Sequence, residues 1–224
     1  MATRPTGLAH QKAHEDPLLH LPCSNIVEIK KGQIIYSQDQ PSTGVYLIIE
    51  GRIKVSRVAD DGRQVFVNIY QPDEFFGESV LVNLPYRCEQ ATALADTKLM
   101  TWTTGEIEDI ITKRPRLAVA LLQILVQRNI DFTERIESLG VDNVARRLAR
   151  LLLHFSERLG TVEADGSVRV TPFTHEFLAQ YVGTSREIVT HYMNQFRRQG
   201  YLKYSRKEII LYCEAFRDWL RQDA

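Results

Sequence analysis

The chain has 224 residues, 44% hydrophobic and 25% charged, with 28 basic and 28 acidic side chains and a formal net charge of zero. That length holds one large core or two modest ones, and the charge balance excludes a nucleic-acid binder that is basic all over. No run of about 18 apolar residues occurs and the first residues lack a signal-peptide core, so a cytoplasmic protein without a membrane partner is expected.

Residues 1–20 read as a flexible, polar, proline-bearing leader, and His10, His14 and His20 within it match no metal or haem cage. Cys23, Cys88 and Cys213 lie far apart with no C-x-x-C pair, which argues against a disulfide framework, structural zinc or an iron–sulfur cluster. From Leu21 to Met100 the apolar residues recur with period two. Arg52–Val58 alternates through Ile53 and Val55, Asp60-Asp61-Gly62 supplies a hairpin turn, and Val65, Val67 and Ile69 alternate on the return. Val45–Ile49 and Ala91–Trp102 read as further strands. With Gly32, Gly44, Gly51, Pro72 and Gly77 at the corners, residues 21–114 predict an antiparallel β-roll.

The period then changes. Glu106–Lys113 predicts a short helix, and from Pro115, a favoured first helical residue, a long helix runs to about Leu139. Along it Ala118, Leu122, Leu125, Asn129, Phe132, Ile136 and Leu139 are spaced 4-3-4-3-4-3. This heptad seam is what a parallel two-stranded coiled coil needs, and one polar Asn favours a fixed register and two strands. Residues 115–143 are therefore expected to dimerise the chain, with Leu117, Ala120, Leu121 and Ile124 free to pack on its own roll. A kink or break is expected around Gly140–Asn143. Val144–Leu159 follows as an amphipathic helix with Leu148, Leu151, Leu152 and Phe155 facing inward.

Residues 144–224 read as a winged helix-turn-helix. If His175 opens the motif, Leu178, Ala179, Val182, Val189 and Tyr192 fall where two crossed helices must touch. Gly183 sits at the turn, where positive φ suits only glycine, and Thr184 and Ser185 are N-cap candidates for the second helix. That helix presents Arg186, Glu187, Thr190 and His191. Between Thr174 and Glu208 six basic residues (Arg186, Arg197, Arg198, Lys203, Arg206, Lys207) face three acids (Glu176, Glu187, Glu208), a local excess suited to phosphate contacts. The fold class is α+β: an N-terminal roll, a long dimerisation helix and a C-terminal winged helix-turn-helix that binds double-stranded DNA.

This order of parts, with VYLIIEGRIKV at Val45–Val55, FFGES at Phe75–Ser79, RCEQATALADTKL at Arg87–Leu99 and VGTSREIVTHYMNQF at Val182–Phe196, resembles the cyclic-AMP receptor protein and fumarate–nitrate regulator family. The resemblance implies a homodimeric transcription regulator with a cyclic-nucleotide-type pocket, acting on palindromic half-sites and on RNA polymerase. It places an effector such as cyclic AMP at Gly77, Glu78, Ser79, Arg87, Cys88 and Thr133. Cys88 stands where the family carries a hydroxyl, Glu89 where it carries a small residue, and Phe132 where cyclic-AMP binders carry a purine-contacting Thr. Another effector, or none, stays open. Cys88 is also a redox or haem-ligand candidate, with a small buried hydrophobe as the plain reading. For DNA, the resemblance carries Ser185, Arg186 and Glu187 as the family's Ser-Arg-Glu, and puts His191 where cyclic-AMP binders carry a second arginine. Arg186 suits guanine O6/N7 and Glu187 suits cytosine N4. Thr174, His175, Thr184, Arg206 and Lys207 are expected at the phosphate backbone. Two other classes compete with this reading: a nucleotide-binding module acting on a protein partner, and an enzyme, for which no nucleophile elbow, P-loop or metal pair is present in the sequence.

Overall fold

The computed structural model describes residues 16–41, 43–60, 62, 64–82, 84–205 and 207–222. Two compact units divide the chain: residues up to Val55 with Ile69–Asp131, and Ser56–Asn68 with the residues from Phe132 on. His10, His14 and Asp61 lie outside the described residues.

The roll contains β1 (Ile26–Ile29), β2 (Ile34–Tyr36), β3 (Val45–Glu50), β4 (Ile53–Val58), β5 (Gln64–Tyr70), β6 (Phe75–Phe76), β7 (Gln90–Ala93) and β8 (Thr97–Trp102). They form two four-stranded sheets, ordered β1-β8-β3-β6 and β2-β7-β4-β5. The Ala91–Trp102 stretch is thus two strands in different sheets. A core of Val45, Leu47, Phe75, Val80, Trp102 and Ile107 fills the first unit. Beside it Tyr36, Tyr46, Phe76 and Tyr70 stack in series, with ring centroids 5.0 to 6.0 Å apart along the chain of contacts.

Helix α1 (Thr104–Lys113) starts with a capping box, Thr103 and Glu106 each satisfying the other's backbone N–H. Helix α2 spans Arg116–Val141. Leu117 and Ala120 are buried, whereas Leu122, Leu125, Phe132, Ile136 and Leu139 are exposed, as is Asn129. Apart from the half-buried Ala118, the expected seam is thus exposed on the single chain.

In the second unit α2 ends at a buried carboxylate. Asp142 accepts hydrogen bonds from Ser138 Oγ (2.7 Å), Arg146 Nε (2.9 Å) and Arg150 Nε (2.7 Å). Burial raises its pKa, but these three donors outweigh it and hold the carboxyl below the usual range. Asn143 then caps α3 (Val144–Leu159) by accepting from the Arg146 N–H. Leu148, Leu151, Leu152 and Phe155 are all buried. Two strands that alternation did not reveal follow, β9 (Thr161–Val162) and β10 (Val168–Val170). They join β11 (Leu202–Tyr204) and β12 (Ile209–Leu211) in a sheet ordered β11-β12-β10-β9. Helices α4 (His175–Val182), α5 (Arg186–Arg198) and α6 (Cys213–Gln222) complete the unit, with Phe196 and Phe216 packed edge to face at 5.0 Å.

Candidate effector pocket and DNA-reading surface

In the first unit β6 delivers the chain to Gly77, and a short 3-10 helix then spans Glu78–Val82. Gly77 has φ of +80°, and a Cβ there would stand 3.1 Å from both Arg87 Nη1 and the Tyr46 ring. Glycine is needed for the backbone angle and for the approach of the arginine. Arg87 itself is 1% exposed. Its Nη1 donates to Gly77 O (2.6 Å) and Ser79 Oγ (3.4 Å), and its Nη2 to Gly44 O (2.5 Å). The guanidinium lies 4.3 Å above the Tyr36 ring, and its buried Nε has no hydrogen-bond partner.

Two acids flank this arginine and neither is free. The Tyr36 hydroxyl donates to Glu89 Oε1 at 3.0 Å. Burial, and then the neighbouring Glu78, push the Glu89 carboxyl above its ordinary value, while burial and Glu89 push the Tyr36 phenol far up. Glu78 is paired with Arg128 of α2, which also donates to Phe75 O and lies 4.6 Å over the Tyr70 ring. Beneath that pair a crevice of about 20 Å³, room for one water, is lined by apolar residues such as Leu21, Phe75 and Leu121. Gly77, Glu78, Ser79 and Arg87 are thus brought together. Cys88 is exposed, because its neighbour Arg87 takes the inward position, so the buried-hydrophobe expectation fails for it. Thr133 belongs to the second unit, exposed on α2.

Sequence reading missed Arg128, Tyr36 and the Tyr36–Glu89 bond. Arg128 was recoverable, since it continues the inward Leu117–Leu121–Ile124 face at helical spacing. Tyr36 lies in β2 and Glu89 just before its partner strand β7, far apart in the chain, and no local pattern announces them.

The second unit builds the other surface. Thr174 caps α4 through a bond from the Phe177 N–H, and α4 ends at Gly183, in the left-handed region at φ 70°. Ser185, rather than Thr184, caps α5 by accepting from the Ile188 N–H. Leu178, Ala179, Val182 and Val189 are buried where the helices cross. Met193 and Phe196 are buried too, Phe196 against Phe216 and Trp219 of α6, while Tyr192 is only half-buried. Arg186, Glu187 and His191 are exposed. Glu187 is held ionised by its own backbone N–H and by Ser185 at the helix N-terminus.

Thr190 is differently engaged. Its hydroxyl donates to Arg186 O (2.8 Å) and meets His175 Nδ1 at 2.7 Å. With the hydroxyl proton given to Arg186 O, the His175 contact is satisfied when the neutral ring carries its proton on Nδ1. Burial, then the charge of Arg186, lowers the His175 pKa and favours that neutral form. His175 and Thr190 therefore lock α4 to α5. In the wing, Ser205 Oγ accepts from the Lys207 and Glu208 N–H groups, leaving Lys207 exposed; Arg206 lies outside the described residues.

Three arginines fix this module. Arg147 donates to Asp142 O and Val182 O (2.9 Å each), tying the end of α2 to the end of α4. Arg135 donates to Phe66 O (3.1 Å), Val67 O (3.2 Å) and Tyr181 O (3.0 Å), and lies 4.2 Å over the Tyr181 ring. Phe66 packs edge to face on Phe177 at 4.8 Å, and Arg158 reaches Asn68 Oδ1 at 3.2 Å. Phe66 and Val67 of β5 are thereby fastened to α4.

Residues 26–114 match the cyclic nucleotide-binding domain family, and residues 146–219 match the Crp-like helix-turn-helix domain. The chain is 30% identical over 186 residues, 83% of each chain, to a CRP-like cAMP-activated global transcriptional regulator of Mycobacterium tuberculosis. It is 25% identical to the global nitrogen regulator of Synechococcus elongatus over 84% of this chain and 85% of that one. Among solved structures, a CRP/FNR-family transcriptional regulator from Thermus thermophilus superposes with a TM-score of 0.73 at 28% identity, covering 88% of this chain and 98% of that one. Among the described residues no helix is long and apolar enough to cross a membrane.

Proposed function

The chain belongs to the Crp/Fnr family of effector-controlled, DNA-binding transcription regulators, and on that premise we propose that it acts as a homodimer joined along α2 and reads palindromic half-sites with α5. The observation that carries this reading is the capped α5, which turns Arg186, Glu187 and His191 outward from a buried Val189–Met193–Phe196 face. Arg186 and Glu187 read base edges, and His191 sets the half-site apart from one read by arginine. Thr174, Thr184, Ser185, Arg206 and Lys207 meet phosphates, with RNA polymerase as the further partner in the cytoplasm. Two copies read half-sites about one helical turn apart.

The effector in this reading is a cyclic nucleotide held at Gly77, Glu78, Ser79 and Arg87. The orphaned Arg87 Nε supports an anionic ligand, because a buried donor left open costs about 1–3 kcal/mol and a phosphate oxygen would satisfy it. The relative from Mycobacterium tuberculosis is cAMP-activated by its name. A second reading, regulation without a nucleotide, is favoured by the carbonyls of Gly77 and Gly44 already holding Arg87 and by Glu89 standing next to it. Calorimetry with cyclic AMP, cyclic GMP and cyclic di-GMP decides between them. Heat that Arg87→Ala abolishes supports the nucleotide; no heat from any of the three supports the second reading.

A further inference from the structure

Beside Arg186, Glu187 and His191, α5 exposes one large apolar side chain near its start. Ile188, in the first turn, is 42% exposed. Single surface isoleucines are ordinary, but the rest of this module hides its large apolar side chains. Among the described residues beyond Val141, the other large hydrophobic so exposed is Val162 in β9.

Its place on the helix is more telling than its exposure. At about 100° per residue, Val189, Met193 and Phe196 share the face buried against the unit's core. Glu187 and His191 fall on the opposite side, the one a DNA major groove would meet, and Ile188 stands at the edge of that side, about 100° from Val189. Isoleucine there accepts and donates nothing, so against phosphates, amino groups or carbonyls it would strip water without replacing it. The one apolar feature of the major-groove floor is the C5-methyl group of thymine.

We infer that Ile188 packs on a thymine methyl in each half-site, beside the base pair met by Glu187. The inference rests on α5 being the DNA-reading helix. The side chain is prepared for such a contact: a β-branched residue in a helix keeps essentially one χ1 rotamer, and the Ile188 N–H is held by the Ser185 cap at 3.4 Å. Helical side chains lean toward the N-terminus, which carries Ile188 over the same turn as Arg186 and Glu187. The contact would favour T·A over C·G at that step, since cytosine offers an amino group and no methyl.

The test uses a duplex selected from a random library by the full-length wild-type protein. Each thymine of the half-site is then replaced singly by deoxyuridine, which removes only the methyl. At one thymine per half-site wild-type affinity should fall about fourfold, the transfer free energy of one buried methyl group. Ile188→Ala should bind thymine and deoxyuridine duplexes equally while keeping its dependence on the pair read by Arg186. Overturning results are a wild-type protein indifferent to every deoxyuridine, or an Ile188→Ala protein showing the same fold loss as wild type. A protein that selects no duplex overturns this inference together with the DNA-reading proposal; selection that depends on Arg186 but not on any methyl overturns this inference alone.

Discussion

Replacing Leu125 and Ile136 of α2 together by Ala should convert the protein from dimer to monomer at micromolar concentration. In the single chain Leu125 is 40% exposed and Ile136 is 70% exposed, so those fractions of each side chain remain for a partner to cover. Each truncation removes about three methylene equivalents, roughly 2.4 kcal/mol when fully buried. Scaled by the exposed fractions, the pair contributes about 2.7 kcal/mol per chain, and twofold symmetry doubles this to about 5 kcal/mol. A nanomolar dimer would thus weaken to the order of 10 µM. Sedimentation equilibrium from 0.1 to roughly 50 µM measures the shift, with Val162→Ala, an exposed residue outside α2, as a control that leaves the dimer intact. An undiminished dimer in the double variant would refute the assignment of the seam.

Asp142→Ala should lower stability by about 3 kcal/mol in urea titrations, since Arg146 loses its buried partner. Because its folded pKa is depressed, the stabilisation from Asp142 is complete above the ordinary carboxylate pKa of about 4 and disappears as pH falls toward the folded value; Asp142→Asn should flatten that acid limb. Glu89 has the opposite sign. Its raised pKa makes ionisation in the native state a cost that grows as pH rises above the ordinary range, so Glu89→Gln should raise the Tm at pH 8 and leave it unchanged near pH 4. Arg135→Ala should cost about 1–3 kcal/mol locally and speed amide exchange in 64–68 and in α4, with little change in β1 or β8. Uniform exchange across the chain in that variant would show that Arg135 does not clamp β5 to α4.

The parts legible in the sequence are those in which a single element states its own partner. Helix α2 is a period, Gly183 is a backbone requirement, and Ser185 is a cap; each needs only neighbours in the chain. Strands β9 and β10 escaped because two and three residues cannot display alternation, and β10 is specified by its pairing with β12 some forty residues later. The pocket was half legible. Gly77, Glu78 and Arg87 come from the family resemblance, but Arg128 and Tyr36, which engage Glu78 and Glu89, come from α2 and β2. Helical position alone presents Thr190 beside Arg186 and Glu187; its hydroxyl meets His175 and Arg186 O, and the His175 contact, across 15 residues, is one that spacing does not reveal.

Binding of Arg186→Ala to a wild-type-selected duplex and to one altered at the G·C pair of each half-site, at two salt concentrations, tests α5 as the reading helix most directly. Arg186→Ala should lose about 1–3 kcal/mol on the selected duplex and bind both duplexes almost equally, because a bidentate contact carries sequence information. Lys207→Ala should weaken both duplexes alike and flatten the salt dependence, because a phosphate contact positions the protein without reading bases. An Arg186→Ala protein that keeps the wild-type ratio between the two duplexes would contradict the reading of DNA by this helix.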